Sequence, residues 1–403
     1  MKNFGINIIS TFGKKFSLTY VAYNIANSLL QKGVPISLVN AAIDAEPQYV
    51  DKKWSQYMVE RVEDLIHPVN LYVMPVSLIG KMMNENPGLL LNKKMHVANL
   101  WWEFNKLPNN MAMELMRHDV ILTHSDFLAN MAALNTHSTY IVNSKLTWPV
   151  DSDTLPDRAL FNLPNNGTIF LFAFDADSEA GTIDLMTGNG RKNPFYLIDT
   201  FQSAFPMHIL DAHLAIRATN IDKPQHKDFL KRLLQIAAVD SRIHIIRGDM
   251  AFTDVMKLSA SCDVYVSLHK AEGLGLGMHE AMALGKPVIA TAWSGNMSFM
   301  DISSACLVRC RAVELNESYT YWGDKIPSGA LWAEPIKEDA IFYMKLLYGN
   351  VEYRNSVGQR ARMSYEAHQE SANLEKWIDE LYCHWRTFEF LPKIKGKYSA
   401  IIT

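Results

Sequence analysis

SLHKAEGLGLGMHEAMALGKPVIATAWSGN, residues 267–296, carries the pattern that decides the fold. An apolar strand ends near Leu268, and Gly273, Gly275 and Gly277 follow. GLGMHEAMALG (275–285) has a helical pattern, and PVIAT (287–291) reads as the next strand. Strand, glycine-rich bend, helix and strand in that order make one unit of a parallel sheet. Glycine has no Cβ and lets backbone approach a ligand closely, while the first amides of the following helix are unpaired donors at the positive end of its dipole. A phosphate or diphosphate fits that place. Glu272 stands before the glycines, and Glu280, eight positions later, falls about a turn into the helix. Carboxylates are poor phosphate ligands but good acceptors for hydroxyls, so the pair suggests a ligand with both phosphate and sugar hydroxyl groups. In the plainer account the glycines only shape a turn and Glu280 faces solvent.

The same alternation continues outward. TIFLFAF (168–174), AHLAIRA (212–218), RIHIIRG (242–248) and DVYVSL (263–268) read as strands, separated by helical patterns at 193–205, 226–239 and 252–262. Short strands alternating with such helices predict a doubly wound parallel sheet. SKLTWPVDSDTLPDRALFNLPNNG (144–167) carries three prolines and several turn residues and reads as an interdomain linker. Before it, FGINII (4–9), ISLV (36–39), LYVM (71–74), HVANLWW (96–102), VILT (120–123) and TYIV (139–142) predict a second sheet. Leu18, Val21, Ala22, Ile25, Leu29 and Leu30 recur at helical spacing between the first two, with Gly33 as the stop. The final seventy or so residues read as mostly helical. The predicted domains are 1–150 and 151–373, followed by a helical segment over 374–403.

At 403 residues the chain exceeds the roughly 250–300 at which one core usually stops growing, in keeping with two domains. Its 39 basic and 42 acidic residues give a net charge of −3 with no long run of either sign, so nucleic acid is not an expected partner. The four cysteines, at 262, 306, 310 and 383, form no CxxC pair and no disulfide framework, which fits a reducing cytoplasm and predicts no metal site. MKNFGINIIS has neither the apolar core nor the cleavage site of a signal peptide. No apolar run reaches the roughly 18 residues of a membrane span. Membrane contact is therefore expected to be peripheral at most, at the inner face, with Lys393, Lys395 and Lys397 as a weakly basic tail. The absence of a serine-histidine-acid pattern, an HExxH helix, a kinase signature and a P-loop ending sets hydrolase and ATPase readings aside.

EGLGLGMHE, followed by AMALGKPVIAT and SGN, closely resembles the signature of retaining GT-B glycosyltransferases of the group 1, or family 4, kind, in which two glutamates are separated by seven residues. FAFD (172–175) and RKNPFYLIDTFQSAF (191–205) resemble that family's phosphate-binding region, and GALWAEP (329–335) resembles a segment of its bacterial polysaccharide members. The likeness covers most of 168–335, while the N-terminal half agrees in βαβ layout. It implies an α/β protein of two Rossmann-like, doubly wound domains facing a cleft, with a C-terminal helix crossing back to the first domain. It also implies that Glu280 holds the ribose hydroxyls and Glu272 meets hydroxyls of the donor sugar. The amides of Gly273, Leu274 and Gly275 then face sugar and diphosphate, and Lys192 with Arg191 grips the leaving diphosphate. The alternative for Arg191 and Lys192 is a solvated helix start. The chain departs from the pattern in having Leu274 where phenylalanine is common and His279 where alanine is common, so His279 is expected to alter donor contacts. A long loop containing DSEAGTIDLMTGNG (177–190) also replaces a short segment of the family.

Other candidates lie at strand ends, where doubly wound sheets place ligands. Arg217 is a candidate second phosphate ligand, and Arg247 and Met250 are candidates for the nucleobase. Gly13 with Lys14 and Lys15 permits close approach to the cleft and attracts an anion. Trp101, Trp102 and Glu103 end a strand, and aromatic faces beside a carboxylate suit a carbohydrate or lipid-linked saccharide acceptor. Glu103 is the candidate for orienting the acceptor hydroxyl and joins Glu272 and Lys192 as a candidate catalytic residue. His124 and Asp126 close VILT, where capping the next helix is the alternative role. The expected reaction is retaining transfer of a sugar from a nucleotide-diphosphate sugar to an acceptor hydroxyl, with no metal or other cofactor, in synthesis of a capsule, O-antigen or exopolysaccharide. A nucleotide-sugar epimerase of the same fold and a non-catalytic sugar-nucleotide-binding assembly subunit are the alternatives.

Overall fold

The computed structural model describes residues 3–12, 17–41, 52–91, 93–136, 140–146, 148–179, 182, 189–315, 319–321, 323–372 and 374–390 of the chain. Strands β1 (Ile6–Ser10), β2 (Ile36–Asn40), β3 (Met58–Val59), β4 (Val69–Val73), β5 (Met95–Asn99), β6 (Val120–Thr123) and β7 (Tyr140–Asn143) form a sheet in the order β3-β2-β1-β4-β5-β6-β7. Every pairing in it is parallel. Helices on both faces bury such a sheet completely, which is why its strands read as nearly unbroken apolar runs. β1 and β4 have no exposed residue, and the two asparagines they bury side by side are joined by one bond, Asn7 Nδ2 donating to Asn70 Oδ1 at 2.7 Å. The helix Ser17–Gln31 buries the periodic face formed by Leu18, Val21, Ala22, Ile25 and Leu29. It gives way at Gly33, whose φ of +69° permits the reversal into β2.

A second sheet contains β8 (Thr168–Asp175), β9 (Ala212–Thr219), β10 (Ile243–Arg247), β11 (Val264–Ser267), β12 (Val288–Thr291) and β13 (Cys306–Val308), again all parallel, in the order β10-β9-β8-β11-β12-β13. Residues 144–167 connect the sheets with a single short 3-10 turn, Ala159–Phe161, and no strand among those described. One expectation needs amending in the first domain. β5 stops at Asn99, so Trp101 and Trp102 belong to the loop beyond it rather than to the strand, and the Trp101 indole turns back to bond the Asn99 side chain.

Two short antiparallel pairs after the second sheet were not expected from the sequence: β14 (Cys310–Glu314) with β17 (Leu331–Pro335), and β15 (Thr320–Tyr321) with β16 (Asp324–Lys325). They form a strap that reaches the first domain. Asn105 Oδ1 accepts from Leu331 N at 2.7 Å, Lys106 Nζ donates to Ser328 O at 2.9 Å, and Asn110 Nδ2 donates to Asp324 Oδ1 at 2.7 Å. The closing helices are Lys337–Gly349, Val351–Ser371 and Leu374–Phe390. The last crosses back to the first domain, where the rings of Tyr382 and Trp385 lie 5.3 and 5.5 Å from Phe4 and His384 lies 3.7 Å from Tyr140.

Candidate active site

Sheet topology fixes where a ligand can sit before any side chain is considered. In the second sheet the strand order reverses between β8 and β11, and a reversal of this kind leaves a crevice beyond the carboxyl ends of the two strands. The residues after those ends line a cavity of about 340 Å³ between the domains. From the second domain it is lined by Asp175, Arg191, Lys192, Arg217, Met250, Phe252, the run Glu272 to Gly277, and Glu280. The first domain adds Ser17, Tyr20, Pro75, Trp101, Trp102 and Glu103. Trp148 of the connecting segment and Tyr321 of the strap complete this set.

The glycine bend is packed from both sides. Ser125, in the first domain, donates its hydroxyl to Gly273 O at 2.8 Å, and a Cβ on Gly273 would stand 2.9 Å from the Trp102 carbonyl oxygen. On the other side Gly295 N donates to Glu272 O at 2.9 Å, and a Cβ on Gly295 would fall 2.0 Å from Gly273 O. These two glycines are therefore required by packing alone. The helix Leu276–Ala283 that follows starts at Gly275, with φ of +96° and no side-chain cap, so its first amides are presented to the cavity.

Arg191 and Lys192 are placed by the loop before the helix Pro194–Ala204. Asn189 Oδ1 caps that helix by accepting from Phe195 N and Tyr196 N at 2.9 and 3.0 Å. Beneath the loop the buried Glu179 accepts from Lys192 N at 2.6 Å and Gly190 N at 3.1 Å. Folded around this carboxylate, the loop drives the Arg191 side chain inward until the residue is 3% exposed, which rules out a solvated helix start for it. Its guanidinium donates to Ala271 O at 2.9 Å and lies 3.4 Å from Glu272 Oε2 and 3.9 Å from Glu103 Oε1. Lys192 Nζ bonds the other oxygen of Glu272. Burial by itself raises a carboxyl, but Lys192 and Arg191 reverse this at Glu272 and hold it at about 2. At Glu103 burial prevails over the Arg191 charge, and the carboxyl lies above its ordinary value. Glu179 is raised for the same reason, again with Arg191 opposing.

Glu280 occupies the inner end of the site. Its Oε1 accepts from Trp148 Nε1 at 3.1 Å. Burial pushes the carboxyl up to about 7, with Trp148 and Arg217 restraining the rise. Arg217, on β9, faces the cavity with a buried Nε that has no hydrogen-bond partner among the described residues, and burial lowers its pKa.

Several sequence candidates are placed elsewhere. His124 is buried in the first domain, accepting from Asn99 Nδ2 and donating to Ser144 O, both at 2.7 Å, and burial lowers it to about 4. The cap of the helix Asp126–Asn135 is Ser125, whose hydroxyl accepts from Leu128 N at 3.2 Å. Arg247 pairs with Asp222 at 2.5 Å on the surface, away from the cavity lining, whereas Met250 lines it. His279 points away from the cavity into a ring cluster with Phe299, Tyr365 and His368, so no donor contact follows from it. Trp102 is 2% exposed, with its indole N–H on Lys106 O at 2.8 Å; Trp101 is the more open of the two. Gly13, Lys14 and Lys15 lie outside the described residues. Glu179, Trp148 and Tyr321 were not singled out from the sequence, since none stands in a motif. Among the described residues no group of three or more histidine, cysteine or acidic side chains is arranged to hold a metal ion.

The arrangement of two parallel sheets around a shared cleft matches solved structures over nearly the whole chain. Sucrose-phosphate synthase from Thermosynechococcus elongatus superposes with a TM-score of 0.64 over 95% of this chain and 99% of its own, at 15% identity. HepE from Anabaena, solved with UDP-glucose, gives 0.63 over 94% and 99% at 12% identity. The chain has a GT-B fold. Staphylococcus aureus TarM is a more distant likeness, with a TM-score of 0.52 over 78% of this chain and 54% of its own at 12% identity. Residues 185–315, which span Arg191, Lys192, Glu272 and Glu280, match the profile of the group 1 glycosyl transferases. No curated protein sequence matches the chain. No helix among the described residues is long and apolar enough to cross a membrane.

Proposed function

We propose that the protein is a retaining glycosyltransferase that moves a sugar from a nucleotide-diphosphate sugar to an acceptor hydroxyl. The observation that carries this reading is the convergence of Arg191 and Lys192 on Glu272 beside an uncapped, glycine-led helix start. The buried Arg191 and the partly exposed Lys192 share one carboxylate, and a diphosphate competes for both. Once it enters, the cations and the helix amides meet its charge, with no metal required, and Glu272 is released to accept from the sugar hydroxyls. Glu280 takes the ribose hydroxyls. As the glycosidic bond to the donor breaks, negative charge grows on the departing phosphate, where these fixed cations stabilise it most. That oxygen accepts the acceptor proton on the same face, so no enzymic nucleophile is needed and the anomeric configuration is kept. Glu103, raised by burial, orients the acceptor hydroxyl from the first domain. The domains meeting over the cavity exclude water and limit hydrolysis.

HepE was solved with UDP-glucose, which makes a UDP-sugar the first donor to test. A carbohydrate or lipid-linked acceptor and a place in surface polysaccharide synthesis, at the cytoplasmic side of the membrane, extend the same proposal from the GALWAEP resemblance. The test is native mass spectrometry of the purified protein against a panel of nucleotide sugars, followed by product NMR with an acceptor panel. Donor retention and a product of unchanged anomeric configuration are expected. An inverted product refutes retention. An epimer formed without acceptor indicates an epimerase, and tight binding with neither transfer nor hydrolysis indicates a non-catalytic subunit.

A further inference from the structure

Trp148 belongs to neither sheet, yet its side chain lines the cavity, and the residue is 2% exposed. Its Nε1 donates to Glu280 Oε1 at 3.1 Å, and no second hydrogen bond to that carboxylate is formed among the described residues. The indole is held in place by the helix Val351–Ser371. Gln369 Oε1 accepts from Trp148 N at 2.9 Å, while the Tyr365 hydroxyl donates to Trp148 O at 2.9 Å and accepts from Val150 N at 3.1 Å. Phe252 meets the indole edge-on, with centroids 6.0 Å apart and planes at 87°. The connecting segment is thus stapled on both sides of Trp148, and the staple aims one N–H at one oxygen.

We propose that Trp148 is a positioning residue for the nucleotide, fixing one oxygen of Glu280 so that the other is turned to the ribose. The inference rests on the ribose role given to Glu280 above. A carboxylate that is to accept from ribose hydroxyls must be charged and held in one rotamer, and an N–H donated to it favours both. The other charged or titratable groups that face Glu280 are Arg217 from β9, Tyr265 from β11 and Tyr365 from the stapling helix. Since Trp148 arrives from between the domains, nucleotide affinity depends on how the connecting segment is seated as well as on the second domain's own residues.

A double-mutant cycle read by calorimetry with UDP tests this. Glu280→Ala is expected to weaken UDP binding at least about tenfold, and Trp148→Phe, which keeps a ring and removes the N–H, about five- to twentyfold. In the Glu280→Ala background Trp148→Phe should cost less than about twofold, a non-additivity that a purely structural tryptophan does not show. In the wild-type background Trp148→Phe should also move the pH dependence of UDP binding upward, because the charged form of Glu280 loses its donor. Should Trp148→Phe fail to fold, Tyr365→Phe releases the staple from outside the cavity and should weaken UDP binding in the same direction, about two- to fivefold, with no effect beside Glu280→Ala. Equal cost of Trp148→Phe, or of Tyr365→Phe where that variant is used, in both backgrounds overturns the positioning role, and so does no cost in the wild-type background. In either case the loss caused by Glu280→Ala leaves the donor reading standing. If Glu280→Ala leaves UDP affinity unchanged, or the wild type binds no UDP, the donor reading itself fails, and the inference with it.

Discussion

Glu280→Gln should stabilise the second domain while it weakens nucleotide binding, and the gain should grow with pH. The carboxyl rises from an ordinary 4.5 to about 7 on folding, chiefly because it is buried. A folded state that holds its proton more tightly than the unfolded chain loses stability as pH rises between the two values, and the loss is complete above the higher one. At about 1.4 kcal/mol for each pH unit of displacement, charging Glu280 in place costs roughly 3 kcal/mol. Glutamine keeps an oxygen for the Trp148 N–H at 3.1 Å and never ionises. Its added N–H groups introduce an offset, but one that does not vary with pH. The difference in unfolding free energy between variant and wild type should therefore climb by about 2–3 kcal/mol from about pH 5 to about pH 8 and then level off. Urea denaturation at several pH values measures it, with the transition of the second domain followed separately because two domains need not unfold together. All other titrating groups are common to both proteins and cancel. Parallel stability curves over that range would refute the argument, since they would mean that Glu280 carries no buried charge.

Lys192→Ala should lower turnover by about two to three orders of magnitude, as expected for loss of a preorganised charge on a leaving group; an unchanged rate, with the chemical step limiting, removes it from the diphosphate grip. Gly273→Ala forces a Cβ to within 2.9 Å of the Trp102 carbonyl oxygen, a backbone atom that has little room to yield. It should cost about 1–3 kcal/mol of stability and loosen the domain contact, seen as a lower melting temperature; an unchanged melt contradicts the close approach. Asn189→Ala removes the cap of the helix Pro194–Ala204 and should cost about 1 kcal/mol in urea denaturation while also weakening UDP binding through Arg191 and Lys192. Loss of stability without loss of binding would separate the cap from the cation loop.

Much of this site was readable in the chain because its parts are contiguous. Glu272, the glycine bend and Glu280 lie within one strand-turn-helix unit, and local geometry alone places them beyond a strand end. Arg191 and Lys192 were legible as charges near a helix start. The burial of Arg191 was not, since it depends on Glu179, which occupies the space beneath the loop. His124 and His279 show the opposite limit. A position at a strand end or in the first helical turns says that a residue is near the cleft, but only the packing decides that His124 meets Asn99 and Ser144 and that His279 meets Phe299 and Tyr365. The strap strands were missed because β14 pairs with β17 across an excursion of the chain and, being largely uncovered, shows little of the strand signal that a doubly buried sheet leaves.

By itself the sequence determined the two runs of alternating strand and helix, because strands covered on both faces and helices covered on one leave apolar periodicities that local reading detects. It also determined the bend, since only glycine tolerates the approach of backbone at Gly273 and Gly295. The tertiary structure alone decided what stands opposite that bend. Trp148 reaches Glu280 across 132 positions, and Ser125 reaches Gly273 across 148. Contacts at such separations depend on how two domains and the segment between them are seated, and a side chain's local neighbours hold no record of that.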